Sequence, residues 1–198
     1  ELLPPRERLC AYALQTHRLF EEEFVRHPQH GYEIDGVLSF PSYHNKNHIQ
    51  AVIDSGKIAL QYADLFHLNR DFAQLAQQRG FEHISFDDLD EAVEVAFACH
   101  DLGNILASDT VEIDAGQPGM SVQFTPTYIV PDASGRCESV SARIADKLIA
   151  KFYTDKSEGF RREFSQLVQH LIMQTVFDID VSHSDVPFWE FVQLMDQI

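Results

Sequence analysis

A single all-α domain is the fold this sequence predicts, a bundle of about six to eight helices with a long irregular insert near 103–137. Three observations point there. Apolar residues recur at three- and four-residue steps along nearly the whole chain, the pattern of helices that bury one face. No segment reads as a strand of a parallel sheet. At 198 residues and 44% hydrophobic content the chain can close one substantial core, and neither an internal repeat nor a linker divides it.

The elements follow in order. Residues 6–26 set Leu9, Tyr12, Ala13, Thr16, Phe20 and Phe24 on one stripe. Ser42, after Pro41, is suited to cap a second helix whose apolar face holds Ile49, Val52, Ile53, Leu60, Ala63 and Phe66. A short helix over 70–79 stops before Gly80. Asp87 caps the next, and Asp88, Asp90 and Glu91 in its first turn suit the positive end of a helix dipole. That helix buries Leu89, Ala92, Ala96 and Phe97 and delivers His100-Asp101 at its C-terminal end. Helices over 139–153 and 159–177 follow through Ile144, Leu148 and Phe152, then Phe160, Phe164, Leu167 and Leu171. Pro187 opens the last one at a favoured first position, stacking Phe188, Phe191, Val192 and Met195. Between 103 and 137 Gly, Pro, Ser, Thr and Asp accumulate around a small β-like patch at Tyr128-Ile129-Val130, and a loop this long beside a site reads either as a lid or specificity insert or as a disordered segment.

Fifteen basic residues against thirty-one acidic give a formal charge of −16. Such a surface repels nucleic-acid polymers and anionic membranes, and no run of apolar residues is long enough to span a bilayer. A small anionic substrate stays compatible, because a bound metal inverts the local field. The start, Glu1-Leu2-Leu3-Pro4-Pro5, lacks an initiator Met and the basic and apolar regions of a signal peptide, so the chain reads as trimmed. Cys10, Cys99 and Cys137 are odd in number and lack CxxC spacing, as expected for reduced thiols of a cytoplasmic protein.

Chemistry concentrates in three places: Tyr43-His44-Asn45-Lys46-Asn47-His48, then His100-Asp101, then Asp196. Two histidines and two carboxylates that converge can hold a divalent metal with positions left for water, and water held so becomes a nucleophile near neutral pH. His44 and His48 share a face if helical. Alone, that pair is weak evidence in a chain with ten histidines, and His100-Asp101 alone reads as a helix C-terminal cap.

Taken together they reproduce a known order. The chain resembles the HD-domain superfamily of metal-dependent phosphohydrolases, whose ligands run His, then His-Asp, then a distant Asp. Tyr43 through His48 is similar to the Tyr-His-Asn-x-x-His motif of the cyclic-nucleotide phosphodiesterase branch. The likeness continues at Glu138-Ser139-Val140-Ser141-Ala142, at Ile172-Met173-Gln174-Thr175 and at Phe191-Val192-Gln193-Leu194-Met195-Asp196, covering most of residues 40–198. It implies His48, His100, Asp101 and Asp196 as ligands to one tightly bound divalent ion. Nitrogen and carboxylate donors suit Fe, Mn, Ni, Zn, Co or Mg without choosing among them, and Asp101 could bridge a second ion about 3.5–4 Å away. It implies His44 as the acid that protonates the departing oxygen, a role suited to a side chain of pKa about 6.5. Glu138 would act on the attacking water and Asn45 would orient its neighbours. Where the phosphodiesterases continue Asp-His-Pro-Gly after the HD pair, this chain has Leu102-Gly103-Asn104, and Thr175 stands where members with a second protein-bound metal carry His. The chain ends two residues after Asp196, so the likeness does not extend to purine-binding helices or to cyclic-nucleotide specificity.

The expected activity is hydrolysis of a small phosphate ester, diester or monoester, with a nucleotide as the leading substrate class. A non-catalytic HD module for ligand sensing or assembly and a di-iron HD-type oxygenase remain as rivals. The 103–137 insert leaves the HD pair and returns at Glu138, so it is assigned substrate choice. With Asp109, Glu112, Asp114 and Asp132 but only Arg136 as a basic residue, it favours a modest anion over a triphosphate. Of the other histidines, His170 reads as packed or hydrogen-bonded in the core, and His183 as a solvated turn. His17, His27, His30, His67 and His83 read as surface residues, and no P-loop, GxGxxG or nucleophile-elbow serine is present.

Overall fold

A computed structural model describes residues 3–26, 32–34, 37–39, 46–105, 136–175 and 186–196. Within them the chain is all-α apart from one small hairpin. The helices are α1 (Pro5–Arg26), α2 (Lys46–Leu60), α3 (Leu68–Arg79), α4 (Leu89–Cys99), the single turn α5 (Leu102–Ile105), α6 (Arg136–Phe152), α7 (Glu158–Met173) and α8 (Trp189–Asp196). The hairpin pairs β1 (Tyr32–Ile34) with β2 (Val37–Ser39) in antiparallel register, Glu33 opposite Leu38. Among the described residues no helix is long and apolar enough to cross a membrane.

α4 is the axis of the bundle. Its sequence from Ala92 to Cys99 is apolar on every side but for Glu94, and all eight residues are buried. A helix without a polar face needs neighbours all round. α1, α2, α6 and α7 supply them. Leu9, Tyr12 and Ala13 approach from α1, Ile49, Val52 and Ile53 from α2, Ile144 and Leu148 from α6, and Phe164, Leu167 and Leu171 from α7, all in one continuous core. Glu94 is compensated from two sides, by Lys57 Nζ at 2.8 Å and Arg6 Nε at 3.2 Å. α2 comes close to α4 because Gly56 faces Phe97: a Cβ there would lie 2.6 Å from the ring.

Several boundaries differ from expectation. Asp87 does not cap α4. A 3-10 turn over Phe86–Asp88 precedes that helix, and Ser85 and Asp88 close a capping box, with the Ser85 amide donating to Asp88 Oδ2 at 2.7 Å. α7 stops at Met173 rather than 177, and Pro187 lies in the turn ahead of α8. Gly80 ends α3 in the left-handed conformation, φ 69°, that glycine adopts without strain. His17 is 1% exposed, not a surface residue. Ser42, His27, His30, His183, the 106–135 part of the insert with Asp109, Glu112, Asp114, Asp132 and Tyr128-Ile129-Val130, and the side chains of Phe20, Phe24 and Arg136 lie outside the described residues.

Candidate metal centre

Three helix ends meet at one edge of the core. His48 is the third residue of α2 and is buried there, its stripe mates Ile49, Val52 and Ile53 turned into the core. His100 is the C-cap of α4, with φ −57° and ψ −32°, and Asp101 follows it. Asp196 is the last residue of α8. The ligand atoms of His48, His100 and Asp196 all lie within 4.8 Å of one another. Asp196 Oδ1 is 3.1 Å from His100 Nε2 and 3.9 Å from His48 Nε2. Asp101 Oδ2 approaches the same two nitrogens, at 3.3 Å and 3.9 Å. Adjacent His and Asp can do this because they sit where the helix ends. The imidazoles stand edge to face with centroids 5.6 Å apart.

The orientation of His100 is settled one shell out. Its Nδ1–H donates to the Phe97 carbonyl at 2.8 Å, and a carbonyl can only accept. In the neutral ring Nε2 therefore carries the lone pair, aimed into the cluster, the arrangement that metal-binding histidines use. Burial by itself pushes the His100 imidazolium down. Asp101 and Asp196, with the Phe97 carbonyl, outweigh that and raise it to about 9. A cation is what this pocket stabilises.

Glu138 stands in the first turn of α6, buried, with Oε2 making no hydrogen bond among the described residues. Burial lifts its carboxyl above the ordinary range. Its own amide and His100 oppose the rise, and the charges of Asp101 and Asp196 add to it. Its position depends on Gly103, just past the HD pair. A Cβ on Gly103 would run into the Cys137 carbonyl oxygen and sit 2.9 Å from Ser141 N, and the Gly103 amide donates to Ser141 Oγ at 2.8 Å. The two ends of the 103–137 insert are thus clasped together beside the site. Gly103 and Ser141 are contributors that sequence reasoning passed over, though the glycine directly after His-Asp-Leu was a signal of close backbone approach.

The structure brings His48, His100, Asp101 and Asp196 together and sets Glu138 within their field. His44 and Asn45 lie outside the described residues. Thr175 turns its hydroxyl to the Ile172 carbonyl at 2.7 Å. His170 is hydrogen-bonded as expected, to the Pro187 carbonyl at 3.0 Å. Two imidazoles and several carboxylates, with one nitrogen pre-aimed and one buried carboxylate oxygen unsatisfied, fit a borderline or hard divalent ion. No protein-family model matches this chain, and no curated protein or solved structure does either.

Proposed function

We propose that the protein is a metal-dependent hydrolase of a small phosphate ester. The observation behind this reading is the convergence of His48, His100, Asp101 and Asp196 from separate helix ends. Burying that many ionisable groups at one point costs stability unless a cation compensates them. The phosphoester substrate rests on the order of these residues and on the Tyr43–His48 string. Both resemble the HD phosphohydrolases.

His48 Nε2, His100 Nε2, Asp196 Oδ1 and Asp101 Oδ2 would hold the ion. An ion held there would supply charge neutralisation for the phosphoryl oxygens and would lower the pKa of a coordinated water. The Phe97 carbonyl keeps His100 in the ligating tautomer. Glu138, its carboxyl raised, is suited to take a proton at Oε2 from attacking water. His44, four residues before His48, is the proposed acid for the leaving oxygen. Asn45 orients them. A nucleotide or similar metabolite of modest charge suits the acidic insert, and three buried cysteines without a disulfide fit a reducing cytoplasm.

Elemental analysis of protein purified without chelator, followed by assays on phosphomonoesters and phosphodiesters with Mn or Mg, tests the reading. About one equivalent of metal and turnover of at least one ester are expected. Metal content unchanged in His100→Ala and Asp196→Ala removes the site, and silence across the panel with metal bound favours a non-catalytic module. Oxygen consumption with Fe(II) favours an oxygenase.

A further inference from the structure

Asp196 is the last residue of an eight-residue helix. A helix that short does not hold its own geometry, so its direction must be set from outside. The residue just ahead of it, Phe188, has φ 66°. A bulky side chain takes that left-handed conformation only when its surroundings impose it. The impositions are visible. The Phe188 amide donates to Asp71 Oδ2, on α3, at 2.8 Å. His170, on α7, donates to the neighbouring Pro187 carbonyl. The Phe188 ring is 0% exposed and meets the His170 ring edge to face at 6.3 Å. The Phe188 carbonyl then accepts the Val192 amide at 2.9 Å, which starts the ladder of α8.

Geometry makes this turn a lever. Eight residues of helix separate Phe188 from Asp196, about 12 Å at 1.5 Å per residue, so a swing of about ten degrees moves the carboxylate about 2 Å. A metal ligand tolerates about 0.2 Å. Asp71 is itself buried, and its other oxygen is held by the Arg70 guanidinium at 3.0 Å, so the acceptor does not wander.

We propose that Asp71 is a positioning residue for the centre: by accepting the Phe188 amide it sets the direction of α8 and hence the place of Asp196 against His48 and His100. The consequence for metal binding rests on the function proposed above.

The probe is Mn(II), titrated and read by electron paramagnetic resonance. Asp71→Ala is expected to weaken binding at least tenfold. Asp71→Asn keeps an oxygen acceptor for the Phe188 amide and is expected to restore most of the loss. In an Asp196→Ala background Asp71→Ala should make no further difference, whereas a merely destabilising core variant such as Leu148→Ala should leave affinity unchanged while folded. Affinity within twofold of wild type in Asp71→Ala, or an equal loss with and without Asp196, overturns the inference. Should Asp71→Ala not fold, Asp71→Glu displaces the same acceptor by one methylene, and wild-type affinity there is the overturning result. If the wild-type protein takes up no Mn(II) and elemental analysis finds no other divalent metal in it, the hydrolase reading fails. Asp71 is then judged on acrylamide quenching of Trp189, the one tryptophan and the first residue of α8. Greater quenching in Asp71→Ala upholds the positioning of α8, and unchanged quenching overturns it.

Discussion

Glu163 accepts the amides of Glu82 at 2.8 Å and His83 at 2.6 Å, and the His83 ring nitrogen at 2.8 Å. Burial alone would raise its carboxyl, but these donors outweigh it and lower the group to about 2. Because the folded value lies below the ordinary 4.5, the stabilisation is complete at neutral pH and is lost as the pH falls from about 4.5 through about 2. Glu163→Gln is expected to cost on the order of 2–3 kcal/mol at pH 7 and much less at pH 2. Urea unfolding at both values checks this, and an equal cost at both would refute it. Gly103→Ala forces α5 from the Cys137 carbonyl and is expected to lower both activity and metal affinity, read by titration against wild type. That His48, His100, Asp101 and Asp196 meet was legible in the sequence because their order resembles a known ligand set, which points all four to one centre. Glu163, Asp71 and His17 were not. Their partners or their burial come from segments distant in sequence, and nothing in a lone carboxylate or imidazole marks which backbone it will meet.

Helices were the legible elements, since α1, α2, α4, α6 and α7 each show a stripe of three- and four-residue steps. The β1–β2 hairpin was missed although Asp35-Gly36, the dipeptide favoured in two-residue hairpin loops, separates Ile34 from Val37. Three-residue strands are too short for alternation to show. The α4 cap was misassigned because Ser85, Asp87 and Asp88 all carry capping side chains, and only geometry chooses among them. One packing contact at this scale makes a sharp test. Gly56→Ala gains about 1 kcal/mol of helix propensity but drives a methyl into Phe97 between α2 and α4, and overpacking costs about 1–3 kcal/mol. A net loss of stability is expected in thermal unfolding, with weaker metal binding because α2 carries His48. A more stable Gly56→Ala protein would show that the α2–α4 contact yields freely.

For the molecule as a whole, an ion held at the cluster would couple binding to folding in a pH-dependent way. Without metal, His100 has a folded value of about 9 against an ordinary 6.5. A raised histidine contributes stability that is full below about 6.5 and disappears as the pH rises through about 9. Metal-free protein is therefore expected to melt lower at pH 9.5 than at pH 6.5. Ligation needs the neutral ring, so protons compete with the ion, and affinity is expected to rise with pH until His100 has lost its proton near 9. Calorimetric scans with chelator and with Mn(II) distinguish the two limbs. At a free ion concentration one hundred times the Kd the added stability is about 2.7 kcal/mol. At a fixed saturating ion concentration the two effects cancel, so a fall between pH 6.5 and 9 without metal and a nearly flat profile with metal are the expected signature. Parallel slopes would detach His100 from the ion.

The buried axis of the bundle has a consequence in time. Local openings are confined to parts of a structure with few buried neighbours. Val95 to Cys99 are enclosed on all sides, so their amides should exchange with solvent only when the entire molecule unfolds. α8 is eight residues long, with Glu190 and Leu194 exposed, and its amides should exchange through brief detachments of that helix alone. On that expectation His100 and Asp101, at the end of α4, would form the stationary jaw of the site and Asp196 the moving one. An ion held between them would stay for a time set by how often α8 lets go.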